Sequence, residues 1–215
     1  TDLLEHPMDL AVYLAYAPWV GLDEQLRLGR LADELGFHSA WVAETWGQDA
    51  TAVLGALAAT TEQIRLGSAI LQIPARQPTA TASAISTIDQ LSGGRAMLGL
   101  GLSGPQVSEG WYGVPFVAPL GRTREYLEIV RMALDHQQVA YEGKHWQLPI
   151  RNAGLGLGKP LKMIGRPVQE HLPIYLGVIG EKTIRQAGQI ADGWLPAFYS
   201  PAHAASLCEP LLRGI

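Results

Sequence analysis

Residues 79–102 (TATASAISTIDQLSGGRAMLGLGL) contain the pattern that decides the fold. A helical stretch, Thr79–Leu91, is followed by the turn Ser92–Gly94, where glycine accepts the left-handed backbone that ends many helices. The apolar run Ala96–Leu102 comes next and shows no polar alternation, which is typical of a strand buried on both faces. This stretch therefore predicts a helix that leads into an internal strand.

The same unit recurs on both sides of this stretch. Short apolar runs alternate with helical stretches, and this order requires parallel strands joined by crossover helices. Six strands are predicted, which fits either a doubly wound open sheet or an incomplete (β/α)8 barrel. The predicted strands are Met8–Tyr16, His38–Ala43, Ile64–Leu71, Ala96–Leu102, Pro173–Val178 and Gly193–Ala197. The predicted helices are one that opens at Asp23 and ends before Gly36, then Ala50–Thr61, Thr79–Leu91, Arg122–His136 and Lys182–Ile190.

Residues 139–171 interrupt this repetition. They contain a hairpin-like stretch, Tyr141–Leu148, and a glycine-rich loop, Gly154–Gly158. An insertion of this length before the fifth strand is typical of a lid or an interface. No break marks a second domain, so residues 1–215 are expected to form one.

Composition excludes several classes of protein. The chain has 215 residues, 47% of them hydrophobic, and a net charge of −4 with few lysines, so neither disorder nor nucleic-acid binding is favoured. No apolar run is long enough to span a bilayer, and Asp2 and Glu5 stand where a secretory signal carries basic residues. The single cysteine, Cys208, has no partner for a disulfide or a cysteine zinc site. We therefore expect a cytoplasmic globular protein.

Familiar catalytic motifs find little support. Residues Gly99–Gly104 (GLGLSG) match a dinucleotide-binding pattern, but Pro105 follows and a loop is expected where that motif needs a helix. Residues Gly154–Lys159 resemble a nucleotide loop, but Pro160 replaces the required Ser or Thr. The histidines have no metal-ligand spacing, and no serine lies in a G-x-S-x-G turn. No metal site is predicted.

The ends of the predicted strands are the remaining candidates, because both architectures bind ligands at the carboxyl edge of the sheet. Glu44 follows a buried strand, either as a functional carboxylate or as a helix-capping or solvated acid. Residues Gly180–Thr183 open a helix with a glycine and a cation, either as a phosphate site or as an ordinary helix start. Trp19, Trp46 and Trp111 follow strands and either wall a flat ligand or belong to the core.

Several stretches of the sequence carry a family resemblance. The first set is Gly36–Glu44 (GFHSAWVAE), Thr61–Ala69 (TEQIRLGSA), Pro74–Arg76 (PAR) and Asp89–Gly101 (DQLSGGRAMLGLG), and it resembles the luciferase-like monooxygenase superfamily. The second set is Ser103–Phe116 (SGPQVSEGWYGVPF) and Arg122–Val130 (RTREYLEIV), and it is similar to the actinobacterial branch that depends on the deazaflavin coenzyme F420. The match continues in Gly158–Lys162 (GKPLK) and Ile190–Trp194 (IADGW).

The resemblance covers essentially the whole chain. It implies a (β/α)8 TIM-barrel fold, with FMN or the deazaflavin at the carboxyl ends of the strands, and commonly a dimer.

The resemblance also implies a cofactor site. Ala69 and Ile70 match the place of a non-prolyl cis peptide behind the flavin ring, and Glu44 matches an acidic position that contacts the deazaflavin in some relatives. The other implied contacts are Gln72, Leu102 and Ser103, which line the cofactor, and Ile179, Gly180 and Lys182 near its phosphate or ring edge.

The chain departs from the family pattern in two ways. Thr45 and Gly104 replace the catalytic histidine and glutamate of sugar-phosphate dehydrogenase members, so that reaction is not expected and no catalytic residue is predicted. The sequence also stops at Ile215, before the last two strand–helix units expected of the family.

Three functions remain open from the sequence. The first is hydride transfer between coenzyme F420 and a small organic substrate, and the second is an FMN-dependent monooxygenase. The third is a shortened flavin-binding protein without catalytic activity. Hydride transfer needs no protein nucleophile because the cofactor carries the chemistry. The first is the prediction adopted here, with a homodimer as the expected assembly.

Overall fold

The computed structural model describes residues 9–151 and 154–215, and most of its strands belong to one sheet. The strands are β1 (Ala11–Leu14), β2 (Ser39–Val42), β3 (Arg65–Ser68), β4 (Leu71–Gln72), β5 (Ala96–Gly101), β6 (Gln138–Val139), β7 (Tyr141–Glu142), β8 (Gln147–Leu148), β9 (Leu161–Lys162), β10 (Ile174–Gly177) and β11 (Gly193–Leu195). The helices are α1 (Leu22–Glu34), α2 (Ala50–Thr60), α3 (Pro78–Ser92), α4 (Pro105–Gly110), α5 (Pro119–Leu134), α6 (Glu181–Ile190) and α7 (Ala204–Leu212).

The main sheet is parallel and curls into a half-barrel. Its strands lie in the order β1, β2, β3, β5, β10, β11, and the short β4 pairs with β5. Strands that follow one another in the chain are neighbours in space, which is the order of a (β/α)8 barrel; a doubly wound sheet reverses its order part-way. The predicted α/β, TIM-barrel-type fold is therefore confirmed. Within the described residues β1 and β11 form its free edges.

Local sequence explains where the helices begin and end. The carboxylate of Asp49 caps α2 by accepting hydrogen bonds from the backbone N–H groups of Thr51 and Ala52. Gly93, with φ of +68°, ends α3 in the left-handed conformation that the sequence predicts there. The core between helices and sheet is aliphatic, and one of its largest buried side chains is that of Tyr126 on α5.

The third barrel strand is interrupted between β3 and β4. Gly67 pairs with Met97 and Leu71 pairs with Leu100, so three residues on this side face two on β5. Such a bulge leaves backbone groups of the partner strand unpaired. The Ser68 hydroxyl satisfies them, because it accepts from Gly99 N and donates to Gly99 O, both at 2.9 Å.

The glycine motif is followed by a helix, which corrects one prediction. The expected loop after Gly104 is α4, which begins at Pro105, a residue that fits the first helical position because it lacks an N–H. Gly99 and Gly101 lie inside β5 rather than in a turn. The helix predicted from Arg122 begins earlier, at Pro119, and α7 has no counterpart among the predicted elements.

The segment before β10 is built from short antiparallel pairs. β7 pairs with β8, which confirms the hairpin predicted over Tyr141–Leu148, whereas the pairing of β6 with β9 is not predicted by the sequence. The glycine-rich stretch Gly154–Gly158 lies between β8 and β9 and is exposed. Of the helices within residues 9–151 and 154–215, none combines the length and the apolar character needed to cross a membrane.

Candidate functional site

The candidate residues lie at the carboxyl edge of adjacent strands. The strands β2, β3, β5 and β10 are consecutive neighbours, and β4 continues the line of β3. Their ends bring the sequence-predicted residues to one edge of the sheet. After β2 comes Glu44; at the bulge and in β4 are Ala69, Ile70 and Gln72; after β5 are Leu102 and Ser103; after β10 are Ile179, Gly180 and Lys182.

Ile70 forms an apolar surface on the inner side of this edge. The peptide bond between Ala69 and Ile70 is cis, which confirms the geometry that the resemblance implies. A Cβ atom on Gly101 would lie 2.9 Å from Ile70 Cδ1, and one on Gly177 would lie 2.6 Å from Ile70 Cγ2. The Ile70 side chain therefore occupies space that a side chain at either glycine would take. Ile70, Gly101 and Gly177 together form a flat, half-buried apolar platform.

Glu44 is buried and fully engaged by protein groups. One carboxylate oxygen accepts from Gln72 N at 3.0 Å and from the Arg76 guanidinium at 2.5 Å. The other oxygen accepts from Ala50 N at 3.4 Å, at the first residue of α2. Glu44 thus contacts the start of α2, as the helix-capping interpretation expects, and it also forms a buried ion pair with Arg76. These contacts explain why its charge is tolerated there.

The neighbouring Gln72 has an unsatisfied atom. Its amide nitrogen donates to Glu44 O at 3.3 Å, while its Oε1 is buried and receives no hydrogen bond from residues 9–151 or 154–215. Buried side-chain acceptors are usually paired, so an orphan of this kind calls for a donor that these residues do not provide.

A cleft of about 400 Å³ opens beside the ion pair. Arg76 also contacts Asp49 at 2.7 Å, so the floor of the cleft carries two carboxylates and one guanidinium. Burial, reinforced by the charge of Glu44, raises the pKa of Tyr112 in its wall. Burial alone would raise the pKa of Asp49, but the hydrogen bond from Thr51 and the charge of Arg76 hold it below its usual value.

The three candidate tryptophans have different surroundings. Trp46 and Trp111 line the same cleft, so the structure brings these two together. Trp19 instead stacks edge-on against Tyr16, with ring centroids 5.2 Å apart, and is largely exposed. None of the three belongs to the buried core.

Sequence reasoning missed another aromatic pair, on the inner side of the sheet. Trp41 and Tyr175 meet edge-on with centroids 5.2 Å apart, and they fit because Gly67 and Gly193 beside them lack side chains. Tryptophan or tyrosine in one strand with glycine at the paired position of the next is the signal that predicts such a pair.

Most of the residues after β5 and β10 are exposed. Ser103 is exposed and has φ of +59°, two residues before the start of α4. Ile179 is exposed, and Gly180 caps α6, as the sequence predicts for a helix start. Lys182 lines a groove between α5 and α6 together with Arg124 and Arg185, two cations that the sequence analysis did not select.

The described part of the chain contains no cluster of side chains that could bind a metal ion. Across residues 9–151 and 154–215, no group of three His, Cys, Asp or Glu side chains is placed to hold a metal ion. The polar groups at the carboxyl edge instead pair with one another, as in the Glu44–Arg76 contact.

Comparison with known proteins identifies the family. The sequence profile described as luciferase-like monooxygenase matches residues 7–214. The chain belongs to this family. It is 45% identical over 213 residues, 98% of its own length, to Rv3520c of Mycobacterium tuberculosis, a protein provisionally named a coenzyme F420-dependent oxidoreductase. It is 32% identical over 167 residues, 77% of its length and 46% of the relative's, to the 5,10-methylenetetrahydromethanopterin reductase of Archaeoglobus fulgidus.

A solved structure supports the same fold. The coenzyme F420-dependent tetrahydromethanopterin reductase of Methanopyrus kandleri superposes with a TM-score of 0.81 at 27% identity, over 96% of this chain and 60% of that one. The chain also spans 61% of the length of the mycobacterial relative. It therefore corresponds to about three-fifths or less of these proteins.

Proposed function

We propose that this chain transfers a hydride between the deazaflavin coenzyme F420 and a small organic substrate. The observation that carries the proposal is the 45% identity, over almost the whole chain, to a relative named for coenzyme F420-dependent oxidoreduction. The reductases from Archaeoglobus and Methanopyrus support the same class of reaction. When bound, the coenzyme supplies or accepts the hydride, and the protein has to bind, orient and desolvate the reacting groups.

The carboxyl edge of the sheet fits a flat cofactor. The platform of Ile70 on Gly101 and Gly177 offers an apolar face against which a ring system stacks. The unsatisfied Oε1 of Gln72 offers an acceptor near the same edge for a ring N–H. In this proposal Ala69 belongs to the same backing surface, and Glu44 holds Gln72 N in place.

The other predicted contacts complete this proposed site. Leu102 and Ser103 border the ring from the end of β5, and Ile179 and Gly180 approach it from the end of β10. Lys182 contributes positive charge toward an anionic part of the cofactor, from the first turn of α6. No catalytic residue is assigned.

The assembly and setting are part of the same proposal. We infer one barrel-type domain over residues 1–215 with residues 139–171 as its insertion, acting as a cytoplasmic homodimer. The homodimer in this proposal rests on the resemblance to a family whose members are commonly dimeric.

Fluorescence titration tests the proposal directly. The purified protein is titrated separately with coenzyme F420 and with FMN, and saturable binding of the deazaflavin alone is expected. Preferential FMN binding would overturn the deazaflavin assignment in favour of the monooxygenase, and binding of neither would favour the protein without catalytic activity.

A pair of tryptophan variants locates the site. Ser103→Trp places a bulky side chain in the proposed cofactor site just after β5. It is expected to abolish deazaflavin binding while circular dichroism shows a folded protein. Ser83→Trp places the same side chain on an exposed face of α3 and is expected to bind like the wild type. Equal affinity in Ser103→Trp and wild type would contradict the assigned position.

A further inference from the structure

The segment before β10 has a charge opposite to that of the rest of the chain. Residues 139–171 contain five Lys or Arg, among them three of the four lysines, and two Glu, so the segment carries +3. One of the cations, Arg151, pairs with Glu142 within the segment. Because the whole chain carries −4, the remaining residues together carry −7. This separation of charge favours an anionic partner at the segment rather than elsewhere on the surface.

The segment also forms one wall of a cleft of about 280 Å³. The cleft lies between α3, α5 and the short antiparallel pairs, and most of its surface is apolar. Its volume is close to the lower end of the ~300–1,000 Å³ typical of small-molecule sites. Its apolar lining includes Leu148, Leu161 and Met163, and its polar lining includes Ser83, Lys159 and Lys162.

Two cations of this lining are available to a ligand. In the ion pairs formed within residues 9–151 and 154–215, neither Lys159 nor Lys162 takes part. Both side chains are exposed, and they border the apolar wall formed by residues such as Met163 and Leu148. An aliphatic chain with one terminal negative charge matches both features at once.

We propose that this cleft binds an aliphatic carboxylate of medium chain length. The chain packs along the apolar wall, and the carboxylate lies between Lys159 and Lys162. The site is built by helices and the inserted segment rather than by the carboxyl edge of the sheet. It is therefore separate from the proposed cofactor site, and neither proposal depends on the other.

Isothermal titration calorimetry with hexanoate, octanoate and decanoate, each below its self-association concentration, tests the ligand class. One ligand per chain is expected, with affinity rising about fourfold for each methylene that enters the cleft. Octan-1-ol, which has the chain without the charge, is expected to bind at least tenfold more weakly than octanoate. Absence of saturable decanoate binding, or equal affinity for octanol and octanoate, would overturn the proposal.

Charge variants test the position of the carboxylate. Lys159→Glu/Lys162→Glu is expected to weaken decanoate binding at least tenfold. Lys144→Glu/Arg166→Glu makes the same change in net charge within the same segment, at residues that do not line the cleft, and is expected to leave the affinity within twofold. Equal losses in the two double variants would show general electrostatic attraction and overturn the assigned site.

Cavity variants separate this site from the cofactor site. Ser83→Trp is expected to abolish decanoate binding and to retain deazaflavin binding, and Ser103→Trp is expected to do the reverse. Loss of decanoate binding in Ser103→Trp but not in Ser83→Trp would place the ligand at the carboxyl edge and overturn the proposal.

Discussion

The two edges of the parallel sheet use carboxylates differently. At the amino edge, Asp33, Asp89 and Asp192 each accept hydrogen bonds from backbone N–H groups where strands begin. At the carboxyl edge, Glu44 forms an ion pair with Arg76 beside an open cleft. In barrels of this kind the amino edge serves stability and the carboxyl edge serves ligands. The same residue type therefore predicts different consequences of mutation at the two edges.

Asp89 is the most fully satisfied carboxylate of the amino edge. One oxygen accepts from Val168 N at 2.7 Å and Gln169 N at 3.0 Å, and the other accepts from Gln169 Nε2 at 2.7 Å and Ala96 N at 3.2 Å. The side chain is completely buried. It thus joins the end of α3, the start of β5 and the segment that leads into β10.

The largest expected effect follows from replacing this residue. In Asp89→Asn an NH₂ group faces backbone donors inside the protein, and the free energy of unfolding is expected to fall by about 3 kcal/mol. Urea denaturation followed by circular dichroism measures it. Asp135→Asn, at an exposed acid after α5, is the matched control and is expected to change stability by less than ~0.5 kcal/mol. Similar losses in the two variants would contradict the structural role of Asp89.

An intermediate effect on stability is expected at the carboxyl edge. Glu44→Gln keeps an acceptor for Gln72 N, and Arg76 keeps Asp49 as a partner, so the free energy of unfolding should fall by only about 1–2 kcal/mol. Deazaflavin affinity should nevertheless fall at least tenfold. The hydrogen bond that Gln72 N donates to residue 44 then goes to a neutral acceptor, so β4 is held less firmly. Asp89→Asn, measured below its unfolding transition, should bind the deazaflavin like the wild type. A reversed order of the two affinities would break the contrast between the edges.

The smallest effect concerns acid stability. Burial alone would raise the pKa of Asp192, but hydrogen bonds from Ile174 N, His171 and Arg131 hold it below the ordinary 3.8. A carboxylate with a lowered folded-state pKa stabilises the protein above its unfolded pKa, and this contribution is lost as the pH falls through the folded pKa. Because the group is partly exposed, the loss in Asp192→Asn at pH 7 should stay under ~1 kcal/mol.

Denaturation of wild type and Asp192→Asn between pH 7 and pH 2.5 checks this expectation. The difference in unfolding free energy should be constant above about pH 5 and should shrink below the ordinary pKa of 3.8. A difference in unfolding free energy that grows as the pH falls would contradict the lowered pKa of Asp192.

The sequence predicts the parallel strands well, because each strand is a separate apolar run and α1 and α3 end at the glycines Gly36 and Gly93. The pattern leaves the order of the strands open between a doubly wound sheet and a barrel, and only the family resemblance selects the barrel. Prediction from the sequence fails where elements are short or the signal is ambiguous. α4 has six residues and opens with Pro105, and the sequence predicts a loop there although proline favours the first helical position. The strands β6 and β9 contribute two residues each, too few to show alternation.

The candidate site is less accessible to sequence reasoning. Glu44 and Arg76 are 32 residues apart, so their contact depends on how two strand ends meet in space. Only the family resemblance predicts the cis bond between Ala69 and Ile70, since a non-prolyl cis peptide has no compositional signal. The exposed cations Arg124 and Arg185, which line the groove with Lys182, lie on separate helices, and only the packing of α5 against α6 brings them together.

The bulge between β3 and β4 changes the phase of the strand's alternation. Before it the even-numbered Leu66 belongs to the core beneath the helices, and after it the odd-numbered Leu71 does. Ile70 and Gln72 are thereby turned to the concave side, whereas a regular strand would direct them into the helix layer. Straightening the strand at its full length would therefore exchange the faces, placing an amide in the aliphatic core and a leucine where the ligand is proposed to sit.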